Sequence, residues 1–310
     1  MNYRRNLRRN ERGQAFVMTA FSMVVLIGMS ALVLDVGSWF RTKRRLQSTS
    51  DAAVLAGAQS LPSDPSAARS IALSYANQNG GDVAASDIKV SSTFSKDDTI
   101  SVKAKRTDSG VFSGVLGVTS TNITANAKAR VDAPQKVQYV APMVVSCDHP
   151  LIKNCDGKGK PKFLTGTQMD YSDMGAPGAF GMLNLDGGSN PGSSKEAEWI
   201  LHGFDKYLPL GQYRSDPGAK FSSSNIQDAL TARIGTVLLF PVFRTLQGTG
   251  QNAEYEIIGW IGFHLQSYEV HGHNATLHGY FTEFIAQGIL NQSGPSGTPK
   301  FGVRSVQLIE

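Results

Sequence analysis

Residues 15–34 read AFVMTAFSMVVLIGMSALVL, a run of 20 residues without a charged side chain. At 1.5 Å per residue, a helix of this length spans about 30 Å, which matches the hydrocarbon core of a bilayer. A secretory signal has a shorter apolar region and then a small-residue cleavage site, whereas Asp35, Trp39 and a basic cluster follow this run. The run therefore predicts a retained transmembrane helix that contacts membrane lipid through residues 15–36.

Positive charge is concentrated at the two ends of this run. Nine basic and two acidic residues give the first 45 positions a charge of +7, which leaves −2 for the other 265 residues of a chain with net charge +5. The basic residues are Arg4, Arg5, Arg8, Arg9, Arg12, Arg41, Lys43, Arg44 and Arg45. A nucleic-acid-binding protein spreads its basic residues over a folded surface, whereas clusters beside an apolar run suit anionic lipid headgroups. We therefore expect lipid, and no nucleic acid, among the partners.

The orientation of the helix is predicted from the part of the chain on its C-terminal side. Lys and Arg flank both ends, so the positive-inside rule alone gives no clear direction. The folded mass and both cysteines, Cys147 and Cys155, lie after the helix, and such a pair suits an oxidising compartment. We predict a single-pass protein of the bacterial cytoplasmic membrane, with its N-terminus inside and the bulk of the chain extracytoplasmic.

The helical pattern continues beyond the apolar run. Residues 46–61, LQSTSDAAVLAGAQSL, are rich in helix-forming residues, and the first proline is Pro62. One helix over residues 15–60 would be about 70 Å long, half in lipid and half outside. Its outer half carries two pairs of small residues four positions apart, Ala52 with Ala56 and Ala53 with Gly57. Such pairs let another backbone approach closely, and either a partner helix or the chain's own domain can supply it.

Several motifs of residues 12–58 follow one another in a specific order. Arg-Gly-Gln precedes the apolar run, Asp35 and Gly37 mark its outer end, a basic stretch ends in Leu-Gln, and Asp-Ala-Ala leads to Leu-Ala-Gly-Ala. This order resembles the N-terminal segment of the TadE/TadG-like proteins of Flp (tight adherence, Tad) pilus systems, and the similarity continues more weakly to about residue 131. The resemblance implies a minor pilin-like or assembly component of a type IV-related pilus or secretion system. Its partners would be other pilin-like or Tad pilus assembly proteins.

Two departures from the family pattern limit what the resemblance implies. A prepilin-type cut after Gly13 would put Met18 where processed pilins carry Glu, so we expect a permanent signal anchor. Many TadG-type proteins also carry a von Willebrand A domain with an Asp-x-Ser-x-Ser metal motif. The strings at 64–68 and 170–174 lack the final Ser, so neither that domain nor its metal is expected.

The rest of the chain predicts an α+β fold with four parts. These are a basic cytoplasmic tail at 1–14, the transmembrane helix with its extracytoplasmic extension at 15–61, a small α+β pilin-like module at 62–134 and a mostly β C-terminal domain at 138–310. Helices are predicted at 66–78, with Ala67, Ile71 and Tyr75 on its apolar stripe, and at 196–207, and a helical turn at 111–116. Strands are predicted at 88–94, 99–104, 121–131, 236–244, 257–268 and 301–309.

Two clusters of side chains are candidates for chemistry. Cys147 and Cys155 are eight positions apart, and in an exported domain an isolated pair more often forms a disulfide than a metal site. His271 and His273 are predicted on one face of a strand, where His278 or Glu283 can add a third metal ligand. Surface histidines on an edge strand or hairpin are the commoner outcome, so we predict no metal and no cofactor. A calcium site at Asn184, Asp186 and Asn190 is weaker still, because a closing Glu is missing at the right distance.

No sequence motif argues for catalysis. The chain has no Gly-x-Ser-x-Gly, no phosphate-binding Gly-x-x-x-x-Gly-Lys and no His-Glu-x-x-His, so we predict that it is not an enzyme. The alternative function is a membrane-tethered binding module for a cell-surface glycan or envelope protein. Trp199, Trp260 and Tyr280 can serve it if they are exposed, although each fits a core equally well. A third hypothesis, an anchored hydrolase, requires metal on the histidine cluster.

Overall fold

The structure is a computed structural model that describes residues 11–110, 112, 114, 117, 119–171, 180–188, 191–217, 220–295, 297 and 299–309. Most of the basic tail predicted at 1–14 and most of the turn predicted at 111–116 lie outside the described residues.

The described residues form four α-helices and fifteen β-strands. The helices are α1 (Glu11–Ala58), α2 (Pro65–Gln78), α3 (Ser193–His202) and α4 (Ser224–Arg233). The strands are β1 (Ile88–Ser91), β2 (Thr99–Asp108), β3 (Thr121–Asp132), β4 (Lys136–Val137), β5 (Met143–Ser146), β6 (Gly166–Asp170), β7 (Phe180–Met182), β8 (Leu208–Pro209), β9 (Gly211–Arg214), β10 (Val237–Gln247), β11 (Glu254–His271), β12 (Asn274–Thr282), β13 (Phe284–Ile285), β14 (Gly288–Ile289) and β15 (Val303–Leu308). The predicted fold class, a long apolar N-terminal helix followed by mixed α/β and then β-rich structure, is confirmed.

Helix α1 is continuous over 48 residues, so the apolar run and its polar extension form one rod of about 70 Å. The predicted continuation of the helix beyond the membrane is therefore confirmed. Its outer half packs on a five-stranded sheet with the order β1-β2-β3-β15-β13. The β1–β2 and β2–β3 pairs are antiparallel hairpins, as the alternating runs in the sequence predict.

The stripe that α2 buries differs from the predicted one. Ala68, Ala72 and Ala76 are fully buried, whereas Tyr75 of the predicted stripe is 46% exposed. The prediction favoured the largest apolar side chains, but α1 approaches α2 so closely that only methyl groups fit between them. Local hydrophobicity therefore gave the wrong face of this helix.

Strand β15 belongs to the sheet of the small module, although the sequence places residues 303–308 in the C-terminal domain. Val306 lies opposite Val131 in an antiparallel pair with β3, and β13 pairs with the other edge of β15. The boundary predicted at 134–138 therefore does not separate the strands of the two sheets. Pairing over such a sequence distance leaves no local signal, since each strand pattern is compatible with either sheet.

A second, seven-stranded sheet forms the core of the C-terminal part. Its order is β6-β12-β11-β10-β5-β7, with β9 also paired to β11. Alternate residues of β10 face opposite sides, so that Leu238 and Phe240 join one apolar cluster and Leu239 joins the other. Helices α3 and α4 cover the first side. Helix α4 was not predicted, because its buried stripe is only three residues long, Ile226, Ala229 and Leu230.

Three ionisable side chains are buried together beside α3. Lys220 Nζ lies 3.3 Å from Glu196 Oε1 and 3.1 Å from Asp216 Oδ1. Both carboxylate side chains are fully buried, and the lysine side chain is only 12% exposed. Burial, and then the neighbouring Asp216 carboxylate, raise the pKa of Glu196 to about 8, which Lys220 opposes. The cluster thus contains more negative charge than a single lysine can neutralise when both acids are ionised.

We predict that this cluster makes the stability of the C-terminal part depend on pH. Because the pKa of Glu196 is higher in the folded protein than its ordinary value of 4.5, the folded state retains a proton that the unfolded state releases. The stabilisation is complete below about pH 4.5 and is lost as the pH rises through about 8. The thermal midpoint in detergent, followed by tryptophan emission, should therefore be lower at pH 8.5 than at pH 7, a range that lies above the ordinary pKa of the buried His149. Glu196→Gln should reduce that difference, and a pH dependence identical in both proteins would contradict the assignment.

Candidate membrane and assembly interface

The inner part of α1 is an apolar surface with no protein cover. Its large side chains between Phe16 and Leu34 are 40–77% exposed, and no part of its apolar window is buried in the described structure. A helix that is apolar on every side requires lipid or other apolar helices around it. Helix α1 is therefore long and apolar enough to cross a membrane, and its bare surface suits a membrane anchor.

The first polar contacts of α1 lie directly after the apolar run. Asp35 is 2% exposed, and one of its carboxylate oxygens accepts a hydrogen bond of 2.9 Å from the backbone N–H of Phe112. Two turns later, Thr42 Oγ1 donates to Asp108 Oδ2 at 2.7 Å. These bonds hold the end of β2 and the chain after it beside the first turns outside the apolar run.

Further polar contacts join α1 to the small module at positions successively farther from the apolar run. Lys43 Nζ donates to the carbonyl of Thr124, and Gln47 Nε2 donates to the carbonyl of Asn126 at 3.0 Å. Thr49 Oγ1 donates to the carbonyl of Asn79 at 2.7 Å. Between them, Leu46 is fully buried against alanines of β2 and β3. The anchor and the module are thus joined over several turns of helix.

Small residues carry the closest contact between α1 and the module. A Cβ placed on Gly57 would lie 2.6 Å from the carbonyl oxygen of Ala68 and 2.9 Å from both the Ala72 Cβ and the Ile100 Cδ1. Ala53 is fully buried, Ala56 is 6% exposed and Ala52 is half-buried. Of the two interpretations of these small residues, contact with the chain's own α2 and β2 accounts for Ala53 and Gly57 in this structure. Packing of this segment on a second protein stays a prediction.

A different stripe of the outer half faces away from the module. Gly37, Arg41, Arg44 and Ser48 are all exposed and recur at helical spacing. This stripe continues the surface of the apolar run, so a neighbouring helix can contact both without displacing any part of the chain. We call residues 37, 41, 44 and 48 the free stripe.

The predicted disulfide is confirmed. Cys147 and Cys155 are bonded, with their Cα atoms 5.0 Å apart. Asp148 lies close to both sulfur atoms, but oxidised cysteines cannot act as thiolate ligands, so this group does not form a metal site. Within the loop, His149 is 1% exposed and its ring meets Phe281 edge-on at 5.0 Å. Burial lowers the pKa of His149 to about 4, so this histidine, which the sequence did not single out, is a neutral core residue at neutral pH.

The histidine cluster lies on the hairpin between β11 and β12. The prediction that His271 and His273 share one face of a strand is wrong, because β11 ends at His271 and the chain turns through Gly272 with a φ of +64°. His271 Nε2 lies 3.3 Å from one oxygen of Glu269, and His278 Nε2 lies 3.5 Å from the other. These two histidines therefore have a carboxylate neighbour on the protein surface.

The other candidate ligand residues also have partners within the chain. Glu283 pairs with Arg304 at 2.7 Å, and Asp186 pairs with Lys195. Asn184 Oδ1 accepts the backbone N–H of Gly187 at 3.2 Å, and Asn190 lies outside the described residues. In each described case, an oxygen atom of the candidate ligand residue contacts another group of the chain.

The aromatic residues considered for ligand binding are mainly core residues. Trp199 is 5% exposed and Trp260 is 2% exposed. Tyr280 is half-buried and stacks on His264, with ring centroids 4.7 Å apart. Trp199 and Trp260 are therefore not available to a ligand at the surface.

Comparison with known proteins finds a family match for α1. Residues 13–60 match the family model described as "Putative Flp pilus-assembly TadE/G-like". The matched segment is α1 with the turn that follows it, and the resemblance predicted from the sequence is confirmed. No curated protein and no solved structure matches the chain.

We predict that Gly57 tolerates no side chain, whereas Gly37 on the same helix does. Gly57→Ala should destabilise the contact between α1 and α2 by about 1–3 kcal/mol, since the added methyl group meets the Ala68 carbonyl oxygen. Gly37→Ala is the matched control, because a Cβ there meets nothing within 4 Å and alanine favours the helix. Hydrogen exchange of α2 peptides should become faster in the first variant only. Equal protection in both would show that the contact is looser than described.

Proposed function

We propose that the protein is a membrane-anchored, minor pilin-like or assembly component of a Flp/Tad-type, type IV-related pilus or secretion system. The observation that carries the proposal is the matched helix itself. It is bare over its apolar half and fixed to a folded module over its outer half. With this arrangement, α1 is accessible to helices of neighbouring subunits, while the small module lies outside the lipid.

The proposed role is structural and not enzymatic. Its working surfaces are the apolar run and the free stripe, through which α1 packs with helices of other pilin-like or Tad assembly proteins. Ala53 and Gly57 hold α1 to its own module, which is one of the two interpretations that the sequence left open. The module then follows the helix as one body when the helix packs on a partner.

We further propose that the N-terminus is cytoplasmic and that the bulk of the chain is extracytoplasmic. The disulfide supports this orientation, because such bonds persist in oxidising compartments. The basic residues at both ends of the apolar run fit headgroups on either side of the membrane. Retention of α1 as a signal anchor follows from Met18, which stands where processed pilins carry Glu.

The alternative, a tethered binding module for a surface glycan or envelope protein, is favoured by one feature. A cleft of about 740 Å³ lies where the two sheets meet, and Lys158, Lys160 and Lys300 are among the residues that line it. In this function the partner contacts the cleft and not α1. The two functions therefore predict cross-links at different positions.

The first test is cross-linking in cells from single cysteines on the free stripe. The described residues contain no free cysteine, so Ser48→Cys provides a unique thiol for a maleimide–amine cross-linker. Ser50→Cys is the matched control, since Ser50 is fully buried two positions away. We expect adducts with pilin-like or assembly proteins from position 48 and few from position 50. Adducts from Lys158→Cys alone would favour the binding module and contradict the assembly role of α1.

The second test concerns orientation. Leu164 is 74% exposed in the C-terminal part, so Leu164→Cys should react with a membrane-impermeant maleimide on intact spheroplasts. A cysteine introduced in the tail by Asn6→Cys should react only after lysis. Reversed labelling of the two variants would place the folded part in the cytoplasm and overturn the proposed location.

A further inference from the structure

The β2–β3 hairpin runs down α1 toward the membrane. Contacts between them advance in step, from Ile100 beside Gly57, through Ala104 beside Leu46, to Asp108 bonded to Thr42. The last pair of the hairpin joins Asp108 and Thr121. Its connection, residues 109–120, therefore begins about eight residues of helix, or roughly 12 Å, beyond the end of the apolar run at Leu34 and continues toward it.

The connection reaches the boundary of the apolar run at Phe112. The backbone N–H of Phe112 donates to Asp35 Oδ2 at 2.9 Å, and Asp35 is the first charged residue after the run. One residue of helix corresponds to about 1.5 Å, so this bond lies at the height where the hydrocarbon ends. The bond also gives the Asp35 carboxylate a protein donor at a depth where water is scarce.

The composition of the connection is unusual for an exposed hairpin. Residues 109–120 read SGVFSGVLGVTS, with no charged residue and five large apolar ones. Turns that face water are normally rich in polar residues. The structure describes residues 109, 110, 112, 114, 117, 119 and 120 of this segment, and the Phe112 side chain is 39% exposed.

The residues of α1 that follow the apolar run are ordered as at a membrane–water interface, with aromatic side chains first and basic side chains next. Phe40, one turn above Asp35 on α1, is 66% exposed, and Trp39 lies beside it against Ile123. The exposed basic residues Arg41 and Arg44 follow on the same helix. Aromatic side chains favour the headgroup level, and basic side chains just outside it attract anionic lipids.

We propose that the tip of the β2–β3 hairpin, at Phe112 and Gly114, inserts into the headgroup–acyl boundary of the bilayer as a second membrane contact beside α1. The occupant of this apolar surface is lipid, because the surface is continuous with the apolar run that already requires it. Two attachment points fix the rotation of the small module about α1. The proposal depends on membrane anchoring and is independent of the pilus role.

The test uses tryptophan emission from the full-length chain in vesicles that contain phosphatidylglycerol and acyl-chain-brominated phosphatidylcholine. In a Trp39→Phe background, Phe112→Trp reports on the hairpin tip, while buried Trp199 and Trp260 give a constant signal. Tyr75→Trp is the control, because Tyr75 is 46% exposed on α2, which contacts α1 between Thr49 and Gly57, more than about 20 Å beyond the end of the apolar run. We expect brominated lipid to remove most of the added emission at position 112 and little of it at position 75.

A second tryptophan position tests the proposal independently, in case the Phe112→Trp variant does not fold. A Cβ at Gly114 meets nothing within 4 Å of the described structure, so a side chain can leave the backbone there, and Gly114→Trp should be quenched in the same way. Emission at both tip positions that resists brominated lipid, but is quenched by iodide in the water, would overturn the proposal and leave the tip free for a protein partner. A failure of the cross-linking test for pilus assembly would not affect either result.

Discussion

The close contact between Gly57 of α1 and the backbone of α2 is the constraint on which the rest of the structure depends. At 2.6 Å from a hypothetical Cβ, the Ala68 carbonyl leaves no room for a side chain, so the two helices meet backbone to backbone. Three buried alanines of α2 continue that contact. Because the two backbones are this close, α2 can pack at only one height along α1. The position of the small module along α1 is therefore fixed. The polar bonds from Asp35 to Thr49 can then form in register along the outer half of α1.

The module is also joined to the C-terminal part. Arg304 on β15 donates to the carbonyl of Leu61 at 2.8 Å and to the hydroxyl of Ser63, and it pairs with Glu283 beside the second sheet. One side chain thus connects the end of the anchor helix, the first sheet and the connection to the second. The C-terminal part is thus joined to α1 by this arginine and by β15 as well as by the chain that leads out of β3.

Local patterns in the sequence predicted the parts of this structure that depend on local physics. The apolar run, the strands with clear alternation and the disulfide between cysteines eight positions apart were all predicted correctly. The buried face of α2 was missed because packing distance, and not hydrophobicity, selects Ala72 over Tyr75. The turn at Gly272, which removes His273 from the strand, was missed because the residues around it alternate as a strand does. The buried Glu196 cluster brings together residues from separate segments, so no spacing in the sequence reveals it.

The place of β15 has a consequence for the order in which the protein matures. This strand lies between β3 and β13 in the first sheet, and Ser305 pairs with Asp132, its neighbour in space but 173 positions earlier in the chain. If α1 stays in the membrane and the rest of the chain is exported after it, the edge of β3 stays open while all the intervening residues are translocated. Pairing over such a separation is slow to form, and an open edge is a template for wrong pairing. In the proposed orientation, the sheet that packs on α1 is therefore the last to be completed, and the edge of β3 is exposed to wrong pairing during that interval.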